Sequence, residues 1–442
     1  MKRTSFALLL PILLLFSACT DVSHPKALIR DGEEVKIIDI KKTPGELVGT
    51  VAVTNLMKMV NIPETSTAFA INENKVFVIN TQNLESVQTV TAPGDHLISD
   101  IFVRKVTPAS ESVPYVLLNN TETWIPWPGL FKYEKIMTLE KVEGTWQWDE
   151  TIEWNEMTNP LEQLTPLQVV VAPDGGEAFV LAEDLLGINV KFFDVPITGA
   201  FDEREYAVAT GVFGSDMTVS SDNAFAFVAH DVGLNVYSTG EAGDLVRAYG
   251  SEEIDAFKWG TGAKKIRLSK NDAFLYAATE GLLGIAGGGF AITGETLCAG
   301  GDLAAEDITD VGELNLPAGF EWLGELFAST MSYRDVEVIE NVAHFVLTSI
   351  TGAIPGMPNA LHIVVQDNAI RGITVLEVEE EDSSTPERIA ISNADAVLVT
   401  NSDGGYLDKI LADPILGYLQ SEVIHLADEH LADPSTIVLS TY

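Results

Sequence analysis

Carboxylate, amide and imidazole side chains recur in this sequence where short apolar segments meet polar loops. Some follow the second of two paired segments, and others stand where a first segment begins. If these places converge on one face of the fold, their oxygens form a ring of the hard ligands that Ca²⁺ prefers. The alternative is a solvated acidic rim that holds no ligand. The candidate ligand-binding residues are Asp100, Asp184, Asp216, His230, Asp231, Glu280, Asp335 and Asp403.

Five of the seven tryptophans lie between Trp124 and Trp154. Trp124 and Trp127 belong to an enlarged loop, where exposed indole rings make platforms for sugars or peptides, so both are binding candidates. Trp146 and Trp148 alternate in a strand-like segment and therefore share one face. Packing between structural units explains this second pair without any ligand.

Familiar catalytic motifs are absent from the sequence. There is no H-E-x-x-H, and His425 and His430 are five positions apart, which is the wrong spacing for two ligands on one helix face. There is also no G-x-S-x-G and no phosphate-binding loop. The sequence identifies no catalytic residue, and it leaves enzymatic activity open while leaning against it.

The first residues form a secretory signal. Lys2 and Arg3 precede the apolar run 6–16, which as a helix spans about 16 Å and is too short to cross a bilayer. The string Phe16-Ser17-Ala18-Cys19 resembles a bacterial lipobox. This resemblance implies that Cys19 is lipidated and becomes the new N-terminus, whereas the alternative is an ordinary signal peptide with an incidental cysteine. Thr20 after the cysteine favours the outer membrane over the inner one, by similarity to enterobacterial lipoproteins.

One hairpin pattern recurs seven times behind these candidates. Two apolar strand positions stand eight residues apart around a tight polar turn, which fixes the register of a hairpin. Three copies are clear and four are weaker, and only 319–331 and 410–431 have partly helical periodicity. The copies are Val171–Phe179, Val219–Phe227, Leu268–Tyr276, Phe69–Phe77, Val338–Val346, Ile391–Val399 and, with a longer turn, Asp100–Leu118.

The segment Met217–Tyr237, MTVSSDNAFAFVAHDVGLNVY, is similar to the YVTN and LVIVD families of surface propeller repeats. The resemblance implies an all-β fold, a β-propeller with seven blades, or eight as the alternative. We expect the strands at 34–40 and 46–54 to close the ring together with a C-terminal strand at 435–442, because an unpaired edge favours aggregation. The predicted organisation is a signal peptide at 1–18, a tether at 19–34 and the propeller at 35–442.

Composition limits the choice of partners. The 442 residues include 65 acidic and 26 basic side chains, which gives a formal charge of −39 and makes nucleic acid an improbable partner. The charge also argues against electrostatic attraction to an anionic membrane. Apolar residues make up 46%, enough for a large core.

Three functions fit these observations. The first is a lipid-anchored propeller of the cell envelope, at the surface or in the periplasm, that binds a protein or polymer. The second is a propeller hydrolase, similar to a lactonase or a calcium-dependent phytase, with a metal at the acidic channel mouth. The third, a redox quinoprotein, is the weakest because the repeats of that family are missing. A propeller fold by itself does not specify function.

Overall fold

A computed structural model describes most of the chain after residue 24. The described residues are 25–41, 45–62, 64–82, 87–94, 96–108, 111–120, 132–157, 164–184, 189–197, 203–210, 214–230, 233–240, 244–250, 263–279, 289–293, 308–310, 331–349, 360–367, 369–376, 386–393, 396–401, 405–413, 417–426, 431 and 434–440.

The described residues contain strands and no helices, as the all-β prediction requires. In chain order the strands are β1 (Lys26–Asp31), β2 (Glu34–Asp39), β3 (Glu46–Ala52), β4 (Lys58–Asn61), β5 (Thr67–Asn72), β6 (Lys75–Asn80), β7 (Val87–Thr91), β8 (His96–Arg104), β9 (Val113–Asn120), β10 (Lys132–Val142), β11 (Thr145–Met157), β12 (Leu164–Val171), β13 (Glu177–Asp184), β14 (Asn189–Pro196), β15 (Arg204–Thr210), β16 (Gly214–Val219), β17 (Phe225–His230), β18 (Gly233–Ser238), β19 (Leu245–Tyr249), β20 (Ala263–Leu268), β21 (Phe274–Thr279), β22 (Gly289–Thr293), β23 (Ile308–Asp310), β24 (Met331–Ile339), β25 (Val342–Ser349), β26 (Ala360–Gln366), β27 (Ala369–Val375), β28 (Pro386–Asn393), β29 (Ala396–Asn401), β30 (Tyr406–Asp413), β31 (Gly417–Leu426) and β32 (Pro434–Ser440).

These strands form a β-propeller of four-stranded antiparallel sheets. Blades 1 to 7 are the consecutive groups β4–β7, β8–β11, β12–β15, β16–β19, β20–β23, β24–β27 and β28–β31. The closing blade joins the two ends of the chain, in the order β32-β1-β2-β3 from the inside outward. Each inner strand contacts the inner strands of both neighbours, and β32 contacts β28 and β4, so the ring is complete.

The seven hairpin repeats of the sequence therefore account for blades 1 to 7, and the closing blade brings the described sheets to eight. Eight is the alternative blade count that the sequence left open. The expected closure by terminal strands is confirmed, because β1 pairs with β32 from Lys26–Ser440 to Asp31–Pro434. A strand contributed from the far end of the chain adds a blade that no single repeat encodes.

Three details differ from the sequence expectations. Residues 26–31 form β1 rather than tether, so the propeller begins before residue 35. Residues 410–413 and 417–426 belong to β30 and β31 and are not helical, and the cross-strand pair Ile410 and Val423 packs against blade 6. The copy at Phe69–Phe77 spans the second and third strands of blade 1, one strand later than the other copies.

The core of the described residues consists of eight apolar clusters, one in each interface between neighbouring blades. Blade 3 illustrates how one strand serves two interfaces. Ala178 and Val180 of β13 face blade 2, while Phe179 and Leu181 face blade 4. Since neighbouring blades cover both faces of a central strand, the sequences of these strands are continuous apolar runs.

Tight turns explain the constant spacing of the repeats. In blade 4, Asp222 Oδ1 accepts a hydrogen bond from Ala224 N at 3.0 Å, and Ser220 Oγ accepts one from Phe225 N at 3.0 Å. Asn223 then takes the left-handed conformation, with φ of 59°. Asp272 occupies the same place in blade 5, with φ of 54°. Asn and Asp tolerate this left-handed conformation better than most residues, because their short side chains can hydrogen-bond to the nearby backbone.

The two ends of the propeller differ in the length of their connections. We call the end where the inner strands begin the loop face and the opposite end the turn face. On the turn face, residues 172–176, 220–224 and 269–273 join first to second strands. On the loop face, the intervals between strands at 121–131, 280–288, 311–330 and 350–359 are much longer, and the turn face has one long interval, at 294–307.

The turn face also holds the contacts that lock the ring. Thr81 Oγ1 and Ser440 Oγ are 2.9 Å apart, and Ser440 Oγ donates to Thr65 O at 3.1 Å. Lys26 Nζ donates to Thr81 O. These contacts attach the closing blade to blade 1, and β1 begins at this same face.

Candidate functional site

The inner strands carry one recurring polar position, and in blades 1 to 6 its side chain contacts the next blade around the ring. In blades 2 to 7 this position lies three residues before an apolar residue near the end of the inner strand, as Asp216 lies before Val219. Lys58 holds the position in blade 1, and Thr436 holds it in the closing blade. The eight residues are Lys58, Asp100, Gln168, Asp216, Lys265, Asp335, Arg388 and Thr436. We call them the inner ring. Their regular placement follows from a register shift at the start of most inner strands.

The three aspartates of the inner ring bridge neighbouring blades. Asp100 Oδ2 accepts a hydrogen bond from Val169 N at 2.9 Å, and Asp216 Oδ2 accepts one from Ile266 N at 3.0 Å. Asp335 Oδ2 accepts from Ile389 N at 3.0 Å. In each case a carboxylate satisfies a backbone donor on the inner strand of the following blade. The same contact at alternate blades indicates an architectural role.

Cationic side chains neutralise these aspartates. Lys58 Nζ lies 2.7 Å from Asp100 Oδ1, and Lys265 Nζ lies 2.5 Å from Asp335 Oδ1. Asp100 and Asp335 are 3% and 0% exposed, so their pairing is what makes their burial tolerable. A cation on the preceding blade therefore matches Asp100 and Asp335. Asp216 instead accepts a hydrogen bond from Gln168 of the preceding blade at 2.9 Å and pairs with Arg267 of the following blade.

Blades 4 to 6 join their charges into one network. Arg267 Nη1 contacts Asp216 Oδ2 at 2.8 Å, and Arg267 Nε contacts Glu337 Oε2 at 3.3 Å. Lys265 Nζ lies 2.7 Å from Glu337 Oε1. Burial alone would raise the pKa of Glu337, but Arg267 and Lys265 outweigh it and hold that pKa at about 2. The carboxylate is therefore ionised across the physiological range.

Sequence reasoning missed Lys265, Arg267 and Glu337 as part of this region. The signal was present in the repeat register, because Lys265 stands three residues before the anchor Leu268 just as Asp216 precedes Val219. When this position is compared from blade 1 to blade 7, aspartates alternate with residues that are either cationic or, in blade 3, an amide. The sequence instead grouped only the acidic members.

The remaining candidates lie elsewhere. Asp184 ends β13, where its Oδ2 accepts a hydrogen bond from Asn189 Nδ2 across the loop-face connection. His230 ends β17, is 5% exposed and packs over Gly233, where a Cβ atom would lie 2.2 Å from Tyr249 O. Asp231, Glu280 and Asp403 lie outside the described residues, as do Cys19, Trp124 and Trp127. The structure brings together Asp216 and Asp335 through the ionic network, with Asp100 two blades away.

The described tryptophans pack between blades. Trp146 meets Phe69 edge-on with ring centroids 5.2 Å apart, and Trp148 Nε1 donates to Thr91 O at 2.8 Å. Both side chains pack against blade 1, so they share one face of β11 as their alternation in the sequence predicts. Trp154 instead faces blade 3, with its ring 5.0 Å from that of Phe193, because a register shift separates it from Trp148. Packing therefore explains these three indoles.

Histidines form a second buried polar group, between blades 6 and 7. His344 Nδ1 lies 3.1 Å from His362 Nε2, and Thr374 Oγ1 lies 2.6 Å from Ser421 Oγ. Burial lowers the pKa of His344 to about 3 and that of His362 well below its ordinary value, so both rings are neutral. The pair sits in an apolar interface and links two blades.

These groups do not form an evident metal centre. Within the residues that the structure describes, no three His, Cys, Asp or Glu side chains are grouped so that they could hold a metal ion. The arrangement of the inner ring instead joins blades by ion pairs and hydrogen bonds to backbone donors. No membrane-spanning helix occurs in the described part of the chain.

Comparison with known proteins gives fold-level likeness. No known family profile and no curated protein matches the sequence. The dihydro-heme d1 dehydrogenase NirN in complex with DHE is similar with a TM-score of 0.54 and 11% identity, covering 94% of this chain and 74% of that one. Apo AztD from Citrobacter koseri gives 0.53 and 12%, covering 95% and 99%.

A putative 6-phosphogluconolactonase from Bacteroides fragilis is also similar, with a TM-score of 0.48 and 13% identity over 96% of this chain and 99% of that one. At these identities the likeness to NirN and AztD concerns the fold alone. This chain is a β-propeller, and its family is not defined by these comparisons.

Proposed function

We propose that this chain is a binding or scaffold protein of the cell envelope. In this proposal Cys19 carries a lipid anchor, and the loop face of the propeller engages a protein or polymer. The outer membrane is the proposed location, on the basis of Thr20 after the cysteine.

The proposal that the loop face is the binding surface rests on the unequal length of the connections at the two faces. Binding residues concentrate on long loops that a rigid scaffold positions. Of the seven intervals of nine or more residues between consecutive described strands, six lie on the loop face and one, 294–307, lies on the turn face. The turn face is instead occupied by tight turns and by the contacts that close the ring. The loop face is therefore the better candidate for a variable recognition surface.

The state of the inner aspartates weighs against the hydrolase alternative. A metal at the channel mouth needs converging carboxylate oxygens. The oxygens of Asp100, Asp216 and Asp335 are engaged by Lys58, Arg267 and Lys265 and by backbone donors. A metal ion would have to displace those partners.

The chain path orients the propeller on its anchor. Because β1 is the second strand of the closing blade and pairs Lys26 with Ser440, the chain enters the propeller at the turn face. Residues 19–25 span about 25 Å when fully extended. The proposed anchor therefore keeps the turn face near the membrane and presents the loop face away from it.

The anchor is tested by detergent-phase partitioning. We expect the processed protein to enter the detergent phase and the Cys19→Ala variant to remain in the aqueous phase. Cys298→Ala is the matched control, since it removes the other cysteine and leaves the lipobox intact. Unchanged partitioning of Cys19→Ala would contradict lipid attachment.

The orientation is tested with fluorophores on single introduced cysteines in the Cys298→Ala protein. Met57→Cys places the probe beside the start of β4 on the loop face, and Glu143→Cys places it in the exposed β10–β11 turn on the turn face. Quenchers in the lipid head groups should quench the Glu143 site more strongly. Stronger quenching at Met57 would overturn the orientation without bearing on the anchor.

A further inference from the structure

A group of ionisable side chains lies buried between blades 3 and 4 at the turn face. Asp194 is 1% exposed and Glu177 is 8% exposed. They are diagonal neighbours on adjacent strands, because Phe179 pairs with Asp194 and Glu177 pairs with Pro196. At such positions side chains on one face of a sheet are within reach of each other. Two carboxyl groups thus share one buried pocket.

One cation faces this pair. Arg204 lies directly opposite Asp194 in the register of β14 and β15, and its Nη1 donates to Gly240 O. The other ionisable groups around the pocket are Asp174 from the turn before β13, Tyr206 of β15, Tyr237 of β18 and Asp244 before β19. With both carboxyls ionised, the buried pair carries one more negative charge than Arg204 can balance.

Hydrogen bonding supplies little of the missing compensation. The backbone N–H of Gly240 faces both carboxyls and lowers the pKa of each, but its contact with Asp194 falls short of a full hydrogen bond. Neither carboxylate oxygen of Asp194 has a hydrogen-bond partner among the described residues, nor has Glu177 Oε2. A buried carboxylate without donors is costly, and the least costly remedy is to bind a proton. Burial, followed by the charge of Glu177, raises the pKa of Asp194 to about 7 despite Arg204. Burial and Asp174 also raise the pKa of Glu177.

We propose that Glu177 and Asp194 form a proton-binding site that tightens the packing of blades 3 and 4 when it is occupied. The proton comes from water and bonds to one carboxylate oxygen, which turns one acceptor into a donor toward the other carboxylate. Arg204 then balances the charge that remains. Release of the proton to water leaves two like charges in the interface and loosens it. This site is independent of the proposed function.

The sign of the effect follows from linkage. Because the folded-state pKa of Asp194 lies above its ordinary value of 3.8, the folded protein holds a proton that the unfolded chain has lost. The stabilisation from this site is therefore complete below about pH 4 and is lost as the pH rises through about 7. A buried carboxyl with a lowered pKa would behave in the opposite way.

Infrared titration of the intact protein tests the site directly. A protonated buried carboxyl gives a C=O stretching band that disappears as the pH passes its pKa. Glu134 is a second source of such a band, because burial raises its pKa to about 7 as well. Glu134→Gln is therefore the matched control, and we expect a titrating band to remain in that variant and to lose the intensity of one carboxyl on the further change Asp194→Asn. Glu177 and Asp408, whose pKa values burial also raises, account for any band that remains.

Chemical denaturation supplies a second readout. Between pH 5 and pH 8 we expect the stability of Asp194→Asn to rise relative to the wild type, with a difference in slope of up to one proton. Glu205→Gln, an exposed change on the same outer strand as Arg204, should follow the wild-type slope. In the infrared experiment, absence of a titrating band in Glu134→Gln would overturn the proposal even if Asp194→Asn did not fold. In the denaturation experiment, an equal dependence of stability on pH for Asp194→Asn and wild type would overturn it as well.

Discussion

Two buried groups of charges in this propeller differ in how many cations they contain. The network of blades 4 to 6 sets Lys265 and Arg267 against three carboxylates and adds backbone donors to two of them. The pocket between blades 3 and 4 sets Arg204 against two carboxylates, and neither oxygen of Asp194 finds a donor. The network comes from the inner strands of three blades, whereas the pocket comes from the outer three strands of blade 3.

The difference shows that pairing, rather than burial, decides the protonation of these carboxyls. Burial raises the pKa of both Glu337 and Asp194, yet two neighbouring cations hold the first at about 2 while the second stands at about 7. One group therefore keeps its charges and joins blades permanently. The other exchanges a proton near neutral pH.

Removal of Asp335 should break the network most severely. Asp335→Ala leaves Ile389 N without its acceptor and deprives Lys265 of one of its two partners. Loss of one partner from a buried pair costs several kcal/mol, and because Glu337 still faces Lys265 we expect about 3 kcal/mol. Urea denaturation at pH 7 measures this loss.

An exposed pair gives the matched control for that experiment. Glu340 contacts Lys270 at 2.7 Å on the turn face, with side chains 64% and 68% exposed. Solvent screens such a pair, so Glu340→Gln should cost less than about 0.5 kcal/mol. Similar losses for the two variants would contradict the assignment of Asp335 as a blade-bridging group.

Glu337→Gln sharpens the comparison through its pH dependence. The pKa of Glu337 is lowered from 4.5 to about 2, so its stabilisation is present above about pH 4.5 and is lost as the pH falls through about 2. The side chain is 30% exposed, and we expect about 1 kcal/mol at pH 7 after screening by solvent. Stability curves of wild type and variant should converge in acid, whereas those of wild type and Asp194→Asn should diverge as the pH rises from 5 to 8. Parallel curves for Glu337→Gln would show that the cations do not act on this carboxyl.

Much of the fold could be predicted from the sequence because propeller blades are encoded locally. The turn around Asp222 and Asn223 fixes the register of its hairpin, and the same turn chemistry recurs along the chain. The closing blade was harder to count, since β32 and β1 come from opposite ends of the chain and neither carries a full repeat. The copy at Phe69–Phe77 was assigned to the wrong pair of strands in blade 1, because the same hairpin pattern fits both the first and the second turn of a blade.

The site was predicted less well because the sequence does not show which partner a side chain faces. Asp100, Asp216 and Asp335 do lie on inner strands, but these strands begin two to four residues earlier than the sequence indicated. Their partners Lys58, Lys265 and Arg267 come from other blades, 42 to 70 residues away along the chain. Glu177 and Asp194 were not identified as a site, because their raised pKa values arise from burial and from carboxylates that only the folded chain brings close to them.

The central claim is that the inner-ring aspartates join blades and do not hold a metal, and thermal melting in two salts tests it most directly. Because their oxygens are engaged by cations and backbone donors, we expect CaCl₂ and NaCl at equal ionic strength to raise the melting temperature equally, by screening alone. A bound calcium ion would instead add about 2.7 kcal/mol at one hundred times its Kd. A calcium-specific gain that disappears in Asp216→Asn would contradict the account, and equal gains in the two salts would support it.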